Sequence, residues 1–120
     1  MAYIDGFVIA VPTANKDAFR QHAEEIDILF TKHGALQVIE AWGDDVPKGE
    51  TTDFFRAVKA KDDETVVFSW VIWPDKATRD AGNAKVFAEM EKMDHSPSDM
   101  PFDGKRMIYG GFEVLVDLTP

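Results

Sequence analysis

Thr65-Val66-Val67-Phe68-Ser69-Trp70-Val71-Ile72-Trp73, closed by Pro74, is the stretch that decides the fold. In an extended chain Val66, Phe68, Trp70 and Ile72 point to one side, and Val67, Val71 and Trp73 to the other. A strand that is apolar on both sides belongs inside a sheet covered on both faces. Pro74 ends it, since proline has no N–H for the ladder, and Asp75 stands where a helix needs a cap.

Working outward, Tyr3 to Val11 alternates as a strand and stops at Pro12. Thr13 or Asn15 can cap a helix carrying Phe19, Ala23, Ile26 and Phe30 at helical spacing, with Gly34 at its C-terminal end. Leu36 to Trp42 reads as a second strand, followed by an acidic, turn-rich loop from Gly43 to Glu50. Phe54 to Ala60 reads either as an extra strand or as the second half of a long one, joined to Thr65–Trp73 by the polar Lys61-Asp62-Asp63-Glu64. After Asp75 a second helix shows Ala77, Ala81, Ala84, Val86, Phe87 and Met90 as a broad apolar side. A Pro-containing loop from His95 to Asp103 leads to a last strand, Arg106 to Asp117, in which Gly110 and Gly111 leave room for a bulge, a neighbouring backbone or a ligand.

The order predicts an α+β fold of the ferredoxin-like, split βαβ type: an antiparallel sheet with two helices on one face. Two helices cover only that face, yet the central strand is apolar on both. A second copy of the chain is the expected cover, so a homodimer is the expected assembly. Either Phe68-Trp70-Ile72 or Val67-Val71-Trp73 would face the partner.

At 120 residues the chain makes one domain, 1–120. With no cysteine, disulfides and thiolate chemistry are excluded. The net charge of −9, from 22 acidic against 13 basic residues, disfavours nucleic acid and anionic membranes. No apolar run is long enough to span a bilayer and no basic region precedes an apolar one at the N-terminus, which points to the cytoplasm.

Tyr3-Ile4-Asp5-Gly6-Phe7, Trp42-Gly43-Asp44-Asp45-Val46-Pro47, Val67-Phe68-Ser69-Trp70, Trp73-Pro74-Asp75-Lys76 and the run from Met100 through Phe112 resemble the YbaA-like family of uncharacterised bacterial proteins (DUF1428). The resemblance spans nearly the whole chain. It implies the dimeric α/β-barrel superfamily, in which two ferredoxin-like protomers pack sheet to sheet, and it implies no established activity. A label linking such proteins to signal-recognition-particle RNA gains no support from the charge, and RNA binding ranks last.

No metal or other cofactor is expected. His22 and His33 stand about 16 Å apart along one helix, too far to share an ion, and His95 lies in a polar loop. Asp44, Asp45 and Asp53 could bind a hard cation, but a solvated turn explains them more simply. Asp5 shares a strand side with Phe7 and Ile9 and, if buried, needs a partner, for which Lys105 or Arg106 is available. Trp42, Trp70 and Tyr109 are the expected lining of any cavity between helices and sheet. Lys16, Arg20, Lys76 and Arg79 sit in the first turns of helices, where either an anion or the neighbouring Asp17, Asp75 and Asp80 would hold them. The candidate ligand-binding set is thus Asp5, Trp42, Asp45, Trp70, Lys105, Arg106 and Tyr109. Two readings follow: a metal-independent enzyme acting on a small molecule from a pocket in each protomer, or a ligand-binding or stress-related module without catalysis.

Overall fold

The computed structural model describes residues 1–93 and 100–120; His95 lies outside the described residues. Strand β1 (Tyr3–Pro12), helix α1 (Lys16–Lys32), strand β2 (Gln37–Trp42), a one-turn helix α2 (Phe54–Ala57), strand β3 (Glu64–Trp73), helix α3 (Lys76–Lys92) and strand β4 (Ile108–Glu113) follow in that order. The sheet runs β2-β3-β1-β4 with every neighbouring pair antiparallel, an arrangement compatible with a ferredoxin-like fold. No helix of the described residues is long and apolar enough to cross a membrane.

The two sides of β3 have different fates. Val67, Val71 and Trp73 are buried under the helices, packed with Ile9, Val11, Phe19 and Ala23 in one cluster and with Tyr3 and Ala35 in another. On the opposite side Phe68 is 44% exposed, and only Val66 is sealed, by Val58 and Ala10. The helices therefore take the Val67-Val71-Trp73 side and leave Phe68, Trp70 and Ile72 on the other.

Three expectations are corrected. Phe54 to Ala60 is not a strand. Asp53 accepts the Arg56 N–H at 2.8 Å and starts a single helical turn, and its apolar spacing is Phe55 and Val58, three apart, both packed under the sheet edge. The last strand is shorter than expected, because Gly104–Arg106 forms a 3-10 turn capped by Asp103 and regular pairing ends at Glu113. The broad apolar side of α3 is mostly in solvent: only Gly82 and Val86 are buried, and Phe87 is exposed. Asp75 does cap α3, accepting the Thr78 N–H at 2.7 Å. Asn15 precedes α1 without capping it and donates instead to the Pro101 carbonyl at 3.1 Å. Gly34 adopts φ +112° just beyond α1, the left-handed geometry its position suggested.

Gly82 is what lets α3 lie flat on Trp73. A Cβ there would stand 2.4 Å from the indole and 2.7 Å from the His33 carbonyl oxygen. Alanine would gain about 1 kcal/mol of helix propensity. Overpacking against a buried ring and a backbone oxygen costs about 1–3 kcal/mol. Gly82→Ala is therefore expected to lower the Tm in thermal unfolding followed by circular dichroism. A raised Tm would show that α3 can lift from the sheet freely.

Candidate functional site

Helix α1 and the β2 edge of the sheet enclose a cleft of about 380 Å³. Lys16, Arg20, Ala23 and Asp27 recur every three or four residues and so share one stripe of α1. Val38, Glu40 and Trp42 alternate along β2 and face them, with Val67 and Phe19 at the floor. Trp42 forms an aromatic wall, its ring 6.4 Å from Phe19, and the Lys16 ammonium lies 5.5 Å over the indole.

Two acids in this cleft are not paired with a cation among the described residues. Burial, helped by the negative charge of Glu40, pushes the Asp27 carboxyl up to about 7. Glu40 is also raised by burial, against the opposing pull of a hydrogen bond from the Ser69 hydroxyl. Ser69 is the cross-strand partner of Glu40 and is 3% exposed. Near neutral pH one group can thus hold a proton while the other is charged, and the two titrate as a pair. An acid and a base side by side against an aromatic wall can give a proton to one atom of a bound molecule and take one from another.

A second concavity, about 510 Å³, lies on the uncovered side of the sheet. Ile4, Val8, Phe68, Trp70, Ile108 and Phe112 line it, around the facing pair Gly6 and Gly110. It is apolar almost throughout.

The expected site residues do not gather in one place. Trp42 lines the α1 cleft, whereas Trp70 and Tyr109 line the open side of the sheet, Tyr109 stacking on Phe7 at 6.3 Å. Asp5 is buried, but neither Lys105 nor Arg106 is its partner. Arg79 of α3 reaches it with Nη2 at 2.8 Å and Nε at 3.1 Å, Trp73 Nε1 donates at 3.0 Å, and Asn83 Nδ2 donates at 3.3 Å. The reason is geometric: α3 begins directly over this end of β1, and the Arg79 guanidinium lies 5.1 Å over the Tyr3 ring. Gly111 makes the room, since a Cβ there would meet the Tyr3 hydroxyl and Arg79 Nη2 at under 3 Å. Arg106 instead clamps Glu64 at 2.6 and 2.7 Å and Asp103 at 3.0 Å, which holds the Glu64 carboxyl below its ordinary range. Asp45 and Lys105 are exposed. Asp53 serves the loop, accepting from Gly49 and Arg56.

The helix-start cations mostly have acidic neighbours: Lys76 and Arg79 reach Asp80 at 3.1 and 3.0 Å, and Arg20 reaches Asp17 at 3.5 Å. His33 and Lys32 both bind Glu89 of α3, and the His22 ring lies 6.0 Å from Phe102. Among the described residues no cluster of three or more metal-ligating side chains occurs.

Asp27, Glu40 and the role of Ser69 were missed by the candidate set. Glu40 carried a signal: an acid between Val38 and Trp42 on the inward side of a strand. Asp27 carried almost none, because an acid beside Ile26 and Ile28 reads as the polar margin of a helix.

The pattern of a protein family of unknown function, DUF1428, matches residues 2–104. Uncharacterised proteins named YbaA from Escherichia coli and Shigella flexneri are 52% identical over 117 residues, covering 98% of this chain and 99% of theirs. A solved structure of a de novo designed protein, Foldit4, aligns with 98% of this chain and 100% of its own at 13% identity and a TM-score of 0.45, too loose a likeness to carry weight.

The raised Asp27 carboxyl has a definite consequence for stability. The folded chain holds this proton more tightly than the unfolded one, whose carboxyl keeps the ordinary value of 3.8. Between about 4 and 7 the folded state binds more protons, so stability falls as pH rises, by at most about 1.4 kcal/mol per pH unit. Below that window Glu64 acts oppositely, losing its Arg106-dependent contribution as it protonates. Asp27→Asn is expected to flatten the decline between pH 5 and 7 in urea unfolding. An unchanged slope would assign it to other groups.

Proposed function

We propose that this chain, which belongs to the DUF1428 family, is a homodimeric, metal-independent enzyme that moves a proton on a small organic molecule, working from one cleft in each protomer. The observation that carries this reading is the Asp27–Glu40 pair in the Trp42-walled cleft, where two acids share burial without a cation to neutralise them. A carbonyl compound with an acidic neighbouring C–H suits such a pair. The charged carboxylate takes the carbon-bound proton, the C–H electron pair becomes a C=C bond, and the carbonyl π pair takes the proton of the neutral carboxyl. The reverse transfers reset both groups, so no external oxidant or reductant is needed. Lys16 and Arg20 on the α1 side of the cleft favour a substrate that also carries a negative group.

The compound that co-purifies with native protein can be identified by mass spectrometry and returned to the protein in D2O. Deuterium uptake at carbon is expected, and Asp27→Asn or Glu40→Gln should slow it about 10²–10⁴-fold. A compound that binds and returns unlabelled and unchanged would instead support a module that binds without catalysis.

The homodimer is supported by the uncovered sheet face, whose aromatic and aliphatic side chains remain in water in a single copy. Sheet-to-sheet packing would bury more than about 1,200 Å² in total. Sedimentation at tens of micromolar is expected to give twice the 13.5 kDa chain mass. Trp70→Asp should give a folded monomer, whereas Val71→Asp, only 2% exposed in the helix-covered core, should unfold the chain. A compact wild-type monomer would overturn the assembly.

A further inference from the structure

Resting on that proton-transfer reading, we propose that Ser69 is a positioning residue that divides the labour in the cleft, holding Glu40 of β2 as the proton acceptor and leaving Asp27 of α1 as the donor. Ser69 interrupts the helix-covered side of β3 between Val67 and Val71, in a cross-sheet row that reads Glu40, Ser69, Phe7, Tyr109. Its neighbours in β3 on that side are fully buried and apolar, so a hydroxyl there needs a partner, and Glu40 is that partner. A hydroxyl that donates to a carboxylate stabilises the charged form.

Nothing comparable acts on Asp27. Burial and the neighbouring Glu40 charge both favour its neutral form. The other charged groups of the cleft all come from α1: Lys16, whose ammonium lies over Trp42; Arg20 and Asp17, which face each other at 3.5 Å; and Glu24. Those nearest the mouth are thus already engaged, whereas Ser69 acts on one member of the pair from the sheet side.

The assignment fixes how a substrate lies. Its acidic C–H points to the sheet, toward Glu40, and its carbonyl oxygen points to α1, toward Asp27, with the flat part of the molecule along Trp42. Such a cleft selects small planar carbonyl compounds that enolise.

Side-chain carboxyl carbons of Asp and Glu, followed by ¹³C NMR through a pH titration of the whole chain, test this without a substrate. In the wild type the upper step near neutrality is expected on Asp27 and the lower on Glu40. Ser69→Ala should make Glu40 an acid about tenfold weaker, a shift of one pH unit, and shift the Asp27 step with it. Ser69→Thr, which keeps the hydroxyl, should restore the wild-type order. If both steps stay put in Ser69→Ala while Asp27 still titrates near neutrality, Ser69 only packs and the inference fails, although the acid pair stands. If Asp27 titrates in the ordinary carboxylate range in the wild type, the proton-transfer reading itself fails.

Discussion

A carboxylate buried to 4% exposure at the start of the first strand sets the terms for much of the molecule. Asp5 would cost several kcal/mol if left alone in the core. Its donors come from the far end of β3, through Trp73, and from two turns of α3, through Arg79 and Asn83. One charge therefore fixes where α3 starts, how closely it approaches the sheet and which way the Trp73 indole turns. The glycines follow from that: Gly82 admits the indole under the helix, and Gly111 admits the Tyr3 hydroxyl and the Arg79 guanidinium beside β4. The fit leaves Asn83 Oδ1 buried and without a hydrogen-bond partner among the described residues.

Buried acids here are treated in two ways. Asp5 and Glu64 each receive an arginine in a geometry of several hydrogen bonds, so their charge is a structural element. Asp27 and Glu40 receive none among the described residues, and burial drives them toward sharing a proton instead. The same chemical group thus braces the fold at one end of the sheet and stays available for chemistry at the other. Arginine placement makes the difference, and both arginines are anchored by elements remote from the cleft, Arg79 on α3 and Arg106 on the turn before β4.

The faces of the sheet divide similarly. Rows on the helix side mix large apolar groups with Glu40, Ser69 and Asp5, so that side can hold both a core and a polar cleft. Rows on the other side, such as Ile39, Trp70, Gly6 and Gly110, hold no charge and no hydrogen-bonding side chain beyond the indole N–H. Such a surface suits dehydration against another surface better than it suits directed chemistry.

Periodicity alone determined the four principal strands, the two long helices and their order, because alternation and helical spacing are local properties of the chain, and the same reading showed that β3 is apolar on both sides. It could not tell which side the helices would take, since alternation is symmetric about the strand. Nor could it find the turn at Phe54, where Asp53 as a cap outweighs two adjacent phenylalanines that look like strand. The need of Asp5 for a cation was legible, but the choice of Arg79 over Lys105 or Arg106 was not, because 74 residues of chain separate that pair and only packing brings them within 3 Å. The cleft was the least legible of all. Asp27, Glu40 and Ser69 look ordinary in sequence, and their properties arise only when α1 settles on β2 and β3 and takes water away from them.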